Sequence, residues 1–175
     1  SEYTLLLDSD VEFDTNIISK YLKHMKDDVV MTTPFIKQNI KCFMCKCGKR
    51  SYYDSYALRD SKNALCMTVN CNPFYELEDR TKWDDKKPVK VNSAFGGAAL
   101  IKSDVLNKVK WSTNGGCEHW NFCKEVRKYG DIIVIPTIVT STVVDDWIPD
   151  PKMIKQQREL LKDPWARFIT LAITK

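Results

Sequence analysis

Long hydrophobic runs, internal repeats and low-complexity tracts are missing from this sequence of 175 residues. No stretch approaches the roughly 20 consecutive apolar residues that a membrane-spanning helix requires, so we expect no membrane span in the chain. The sequence also does not begin with the basic, then apolar, then small-residue pattern of a secretory signal. These absences predict a soluble, cytoplasmic protein, and the length suits a single domain over residues 1–175.

A strong excess of one charge is also missing. Lys and Arg number 27 against 23 Asp and Glu, so the net charge is +4 and the pI is near 8.6. Nucleic-acid-binding domains usually have a pI above about 9 with clustered Lys and Arg, whereas the basic residues here are mixed with acids, as at 26–28 and 84–87. The charge pattern therefore argues against a nucleic-acid partner and leaves room for an anionic ligand.

The seven cysteines are an odd number, so at least one cannot pair within the chain. Without a secretory signal, reduced thiols are the default. Cys42, Cys45 and Cys47 have the spacing of metal ligands, and Cys66 and Cys71 could join them around zinc. One CxxC without a second well-spaced pair is a weak signal, so free thiols are the favoured interpretation. A zinc-stabilised interaction module without catalysis is the alternative.

The apolar content, 43% with five tryptophans, is enough for a hydrophobic core and excludes wholesale disorder. Tyr3–Leu7 has the continuous apolar pattern of a buried strand, and a helix is predicted from Asp14–Asn16 to about Lys26. Val29–Thr33 then predicts a strand that stops at Pro34. This βαβ order indicates parallel strands at the centre of one α/β domain with a mixed sheet. Further strands are predicted at 65–69, 89–95, 98–101, 132–135 and 138–144, and helices at 103–109, at 118–129 and from 150 onward.

Asp8-Ser9-Asp10 follows directly after the first predicted strand. In open α/β sheets, ligands bind outside the carboxyl ends of strands. Two carboxylates there, one residue apart, can converge on Mg²⁺ or Mn²⁺, which fills its remaining positions with water and substrate phosphates. Such a cation would neutralise a diphosphate leaving group. The alternative is a solvated strand end, because Asp and Ser are common in turns.

Two further features could carry chemistry. Gly96-Gly97 allows either the close approach of a ligand to the backbone or a simple bend in the strand. Glu118 opens a predicted helix, where it is in line with the apolar Phe122 and could act as a general base or bind a substrate hydroxyl. An acid that stabilises the helix dipole is the alternative interpretation. His119 is either a metal ligand or a hydrogen-bonded surface histidine.

In this order the motifs resemble those of GT-A glycosyltransferases: an apolar strand ending in DxD, a Gly-Gly after a central strand, and an acid-bearing helix followed by strands. Residues 52–60, Tyr-Tyr-Asp-Ser-Tyr-Ala-Leu-Arg-Asp, resemble the FYDxWxxRD stretch of CAP59-type mannosyltransferases. Residues 95–98 and 117–119 are similar to that family's WGG and ECxxF stretches. The chain also resembles the glycosyltransferase domains of large chlorella viruses, which decorate a capsid protein. The resemblance covers residues 3–143.

The resemblance implies a GT-A-like, mostly parallel sheet flanked by helices. It also implies transfer of a hexosyl or deoxyhexosyl group from a UDP- or GDP-linked sugar to a glycan or glycoprotein acceptor. Asp8 and Asp10 match the DxD motif and would bind Mn²⁺ or Mg²⁺ and the donor phosphates. Glu118 and Asp54 are the implied catalytic carboxylates. The other implied donor- or acceptor-binding residues are Ser9, Tyr53, Arg59, Asp60, Gly96, Gly97 and His119.

Several points stay open in this comparison. The family's first nucleotide-binding strands are absent, and the chain opens within a strand, so upstream sequence is expected. A third metal ligand, often His in GT-A enzymes, has only Asp145 and Asp146 at its usual place. Glu118, Asp54 and Asp60 remain alternative carboxylates beside the sugar, and retention and inversion of the anomeric carbon are both compatible with the motifs. A nucleotidyltransferase is a third reading, but the Gly-rich loop with a basic residue that it needs near the start is lacking.

Overall fold

In the computed structural model, the strands of the described residues form one seven-stranded mixed sheet. The described residues are 1–26, 28–41, 50–52, 54, 56–64, 72–74, 76–112 and 117–142. Their strands are β1 (Tyr3–Leu7), β2 (Val11–Phe13), β3 (Val29–Lys41), β4 (Arg50–Tyr52), β5 (Val89–Val91), β6 (Ala98–Lys102) and β7 (Asp131–Thr142). Their helices are α1 (Ile17–Leu22), α2 (Leu77–Asp84), α3 (Ser103–Leu106) and α4 (Glu118–Val126).

The strand order is β1-β6-β3-β7-β2, with β4 paired to β3 and β5 paired to β7. The mixed sheet is confirmed, but the expectation of a mostly parallel one is wrong: among the described strands, β3 and β7 form the one parallel pair. The βαβ unit does place β1 and β3 in the same direction. They are not neighbours, however, because β6 lies between them and runs antiparallel to both.

Both faces of the sheet are covered by apolar side chains, which explains the unbroken apolar runs of the central strands. Ala99 and Ile101 of β6 belong to the larger core cluster, together with Phe122 of α4. Leu100, on the opposite face, belongs to a second cluster with Tyr21 of α1. Alternate side chains of β6 therefore pack into two cores, one beneath α2, α3 and α4 and the other beneath α1.

Several predicted boundaries change in the structure. β3 does not stop at Pro34; it continues to Lys41, and its register against β7 shifts between Pro34 and Phe35. A residue without an N–H is tolerated in a strand at such an irregularity. β7 likewise joins two predicted strands into one, and β1 is only half-buried because, among the described strands, it pairs with β6 alone.

α2 was not predicted, since its sequence is largely polar and buries little more than Asp79 and Trp83. α1, α3 and α4 are shorter than predicted. The predicted strand at 65–69, the end of the strand at 138–144 and the helix after residue 150 lie outside the described residues. In the described part of the chain, no helix has the length and apolar character needed to cross a membrane.

Candidate active site

The turn that carries the DxD motif lies against Gly97. Leu7, the last residue of β1, pairs with Ala98, the first of β6, so the end of one strand meets the start of the other. Immediately beyond this pair, the Asp8 N–H donates a hydrogen bond of 2.9 Å to the Gly97 carbonyl oxygen. Gly97 has φ +71°, and a Cβ there would overlap Cγ2 of Val11. The missing side chain therefore lets the acidic turn pack onto the sheet.

Gly96 brings a second acid to the same place. Its N–H donates to Oδ2 of Asp54 at 3.1 Å, and its own φ is +66°. A Cβ at Gly96 would come to 3.0 Å from Cδ of Pro34. The groups that lie against the backbone of the glycine pair belong to the chain itself, and the close approach of a ligand stays a prediction.

His119, the second residue of α4, completes the cluster. Its ring stacks on Phe95, with centroids 4.7 Å apart and planes 11° apart, and meets the edge of Trp111 at 5.6 Å. Nδ1 is buried and has no hydrogen-bond partner in the part of the chain that the structure describes. Buried polar atoms are nearly always paired, so His119 is a candidate for a contact that the described residues do not supply.

These residues line one small open pocket of about 80 Å³. Sites for whole drug-sized ligands are roughly 300–1,000 Å³, so the pocket has room for a cation or a phosphate group rather than for an entire sugar nucleotide. Two apolar residues form part of its wall, and neither was predicted as a site residue. The lining consists of Asp8, Asp10, Val11, Ile36, Asp54, Gly97 and His119.

Two carboxyl groups of the pocket, those of Asp54 and Asp8, hold protons more tightly than isolated ones do. Burial raises the pKa of Asp54 to about 6, although the N–H groups of Gly96 and Ala57 and the charge of His119 act to lower it. Partial burial also raises the pKa of Asp8; the charges of Asp10 and Glu118 add to the effect and His119 opposes it. A divalent cation bound beside Asp8 and Asp54 would favour their charged forms and so oppose the effect of burial.

The donor set fits a hard cation that takes only part of its coordination from protein. Mg²⁺ is often held by one or two carboxylates, with waters and substrate phosphates completing its octahedron. Asp8 and Asp10 could supply these two carboxylates. Among the described residues, no three His, Cys, Asp or Glu side chains lie together as a complete metal cage. Metal binding through this pair therefore remains a proposal and requires ligands from the substrate.

Glu118 stands beside the pocket but does not line it. Its side chain is 51% exposed, and Oε1 is 3.7 Å from Nε2 of His119. The prediction that Glu118 is in line with core residues is wrong, because Phe122 and Val126 are buried and Glu118 is not. Glu118 is the first residue of α4, and its negative charge helps to raise the pKa of Asp8.

Arg59 and Asp60 are not among the residues that line the pocket. The buried Arg59 lies with its guanidinium carbon 3.8 Å from the centre of the Trp120 ring. Asp60 is also buried, and its Oδ1 accepts the N–H groups of Lys62 and Ala64. Both therefore organise the loop that follows Asp54. Ser9 belongs to the acidic turn but is not among the lining residues.

Other site predictions lie outside the described residues. They include Tyr53, the proposed third-ligand positions 145 and 146, and Cys42, Cys45, Cys47, Cys66 and Cys71. The two described cysteines, Cys117 and Cys123, are free and buried. The zinc-module hypothesis accordingly stays a prediction.

Among solved structures, the fold is similar to that of a glycosyltransferase. The structure in question is that of GalNAc-T7 with UDP, GalNAc and Mn²⁺, which matches with a TM-score of 0.53 and 15% sequence identity. The match covers 82% of this chain but 28% of the GalNAc-T7 chain, so this sequence spans little more than a quarter of that transferase. At this identity the likeness concerns the fold alone. No protein-family model and no curated protein matches the chain.

Proposed function

We propose that the chain is a metal-dependent glycosyltransferase that moves a hexosyl or deoxyhexosyl group from a UDP- or GDP-linked sugar to a glycan or glycoprotein acceptor. The observation that carries the proposal is the convergence of Asp8, Asp10, Asp54 and His119 on one pocket at the carboxyl end of β1. The pocket lies where ligands bind in open α/β sheets. The fold likeness to a transferase that was solved with UDP, GalNAc and Mn²⁺ supports the same assignment.

Asp8 and Asp10 would hold Mn²⁺ or Mg²⁺ together with the donor diphosphate. When bound, the cation supplies positive charge that stabilises the diphosphate as a leaving group. The position of Asp8 is fixed by the hydrogen bond from its N–H to the Gly97 carbonyl oxygen. Both carboxylates follow directly from β1, so their spacing is set by a rigid element and a short turn.

Asp54 and Glu118 have environments suited to two different tasks. Asp54 is held by the Gly96 N–H inside the pocket, where its carboxyl group would orient the hydroxyls of the donor sugar. Glu118 is half-exposed at the pocket's edge and could reach an acceptor. As the acceptor oxygen bonds to the anomeric carbon and the bond to the diphosphate breaks, Glu118 would take up the proton of the acceptor hydroxyl.

The order of the motifs supports a narrower version of the proposal. The stretch at 52–60 and the glycine pair favour a GT-A arrangement related to CAP59-type mannosyltransferases and to the glycosyltransferase domains of chlorella viruses. In that version Ser9 and Tyr53 contribute to donor binding. Arg59 and Asp60 hold the loop that carries Asp54, consistent with their burial.

Calorimetric titration of UDP and GDP into the protein, with and without Mn²⁺, tests the proposal. We expect nucleotide binding that requires Mn²⁺ and that is lost in Asp8→Ala/Asp10→Ala. Asp84→Ala/Asp85→Ala is the matched control, because it removes the same charge from the exposed end of α2. The control should bind as the wild type does.

Equal binding by the Asp8→Ala/Asp10→Ala protein, or no binding by the folded, full-length wild type under any metal condition, would contradict the donor site. Metal analysis of the same preparation separates the zinc-module alternative. Zinc that survives dialysis at one equivalent, without nucleotide binding, would favour that module, since structural zinc sites are closed and hold their metal tightly.

A further inference from the structure

An exposed aromatic side chain, close in sequence to a residue of the pocket, packs against a second aromatic ring. Tyr56 is 60% exposed, and its ring packs against that of Trp120, with centroids 5.0 Å apart and planes inclined by 40°. Nε1 of Trp120 donates a 2.8 Å hydrogen bond to the backbone carbonyl oxygen of Tyr56. Arg59 packs over the Trp120 ring at 3.8 Å. Trp120 therefore supports the Tyr56 ring, and a cation–π contact with Arg59 holds the Trp120 ring in place.

This aromatic pair adjoins two pocket residues along the chain. Tyr56 follows Asp54 by two positions, and Trp120 follows His119 directly. The hydrogen bond from Trp120 to Tyr56 thus joins the loop that carries Asp54 to the helix that carries His119. A ligand group that extends from the pocket past these two residues would meet the Tyr56 ring.

We propose that Tyr56, supported by Trp120, is a stacking platform for a pyranose ring of the glycan acceptor. That this pyranose belongs to the acceptor, and not to another glycan, rests on the proposed function. One face of a pyranose is lined by C–H groups, which pack well on the apolar, electron-rich face of an aromatic ring. A ring that is already fixed loses little conformational entropy when the sugar binds.

A sugar suits the position better than the nucleotide base does. The donor diphosphate is expected at Asp8 and Asp10, whereas Tyr56 follows Asp54, the residue proposed to orient the transferred sugar, by two positions. An acceptor must approach that sugar from its open side. Tyr56 and the half-exposed Glu118, two residues before Trp120, would then face the same incoming glycan.

Saturation-transfer NMR on the full chain tests the platform directly. The probes are methyl α-mannopyranoside, methyl β-galactopyranoside and methyl α-glucopyranoside, each offered alone at millimolar concentration. We expect saturation of the C–H face of at least one of them, with binding about fivefold weaker in Tyr56→Ala, as an aromatic contact of this kind predicts. Tyr56→Phe keeps the ring and should retain the signal. Tyr129→Ala is the matched control, because Tyr129 is also exposed but follows the C-terminal end of α4, whereas Trp120 lies in its first turn.

Three outcomes would overturn the platform. The first is the absence of saturation transfer to every glycoside, and the second is an unchanged signal in Tyr56→Ala. The third is weaker UDP or GDP binding in Tyr56→Ala with unchanged glycoside binding, which would make Tyr56 a base-stacking residue. The nucleotide titrations on the same samples keep the two proposals separate. Glycoside binding that depends on Tyr56, in a protein that binds no nucleotide, would support the platform and contradict the transferase.

Discussion

Asp8 and Gly97 are joined by a backbone hydrogen bond of 2.9 Å from the Asp8 N–H to the Gly97 carbonyl oxygen. This bond connects the acidic motif after β1 to the glycine pair before β6. The neighbouring Gly96 in turn binds Asp54. Two glycines thus hold two acids from distant parts of the chain at one edge of the sheet. Three predictions follow from this arrangement and from the ring of His119 beside it.

Gly97→Ala should destabilise the fold by about 1–3 kcal/mol, because a non-glycine residue at this positive φ is strained and its Cβ would overlap Val11. Urea unfolding followed by tryptophan fluorescence measures the loss. Val11→Ala/Gly97→Ala should recover the steric part of the cost and leave the backbone part, which a double-mutant cycle isolates. A Gly97→Ala protein as stable as the wild type would show that the turn can move away without loss.

Asp54→Asn should change how stability depends on pH in the presence of EDTA. The pKa of Asp54 is about 6 in the folded chain, above its ordinary value of about 3.9, so the folded state binds more protons than the unfolded state. Stability from this group is full below about pH 4 and is lost as the pH rises through 6.

Between these limits the wild type should lose on the order of 2 kcal/mol relative to Asp54→Asn. Urea titrations at intervals from pH 4 to 7.5 provide the comparison, and Asp104→Asn, an exposed acid of α3, is the control. Parallel curves for the wild type and Asp54→Asn would mean that Asp54 titrates normally in the folded protein.

His119→Phe should separate the packing role of this ring from its chemical role. A phenyl ring can keep the stack on Phe95 and removes the buried Nδ1 that lacks a partner among the described residues. We therefore expect stability within about 0.5 kcal/mol of the wild type. Mn²⁺-dependent nucleotide binding should weaken about tenfold, the cost of one lost polar contact. Nucleotide binding equal to that of the wild type would show that His119 contributes only the packing of its ring.

Much of the local structure could be predicted from residue patterns. The apolar run ending in Asp8 does form a strand followed by a turn, and Gly96-Gly97 does precede a strand, because these properties depend on neighbouring residues. α2 could not be found in this way, since a polar helix with few buried side chains has no clear periodic signal. The continuation of β3 beyond Pro34 could not be predicted either, because the irregular register that accommodates the proline depends on the partner strand β7.

By itself, the sequence determined a mixed α/β fold and the acids and glycines available for a site. It also marked the position of the acidic pair at the end of a strand, because chain order and hydrophobic pattern suffice for that. Tertiary structure alone decided that β6 separates β1 from β3, that Asp54 meets Gly96 and that Glu118 turns toward solvent while His119 lines the pocket. Contacts between residues 42 positions apart are set by how sheet and helices pack together, and no local pattern encodes that choice.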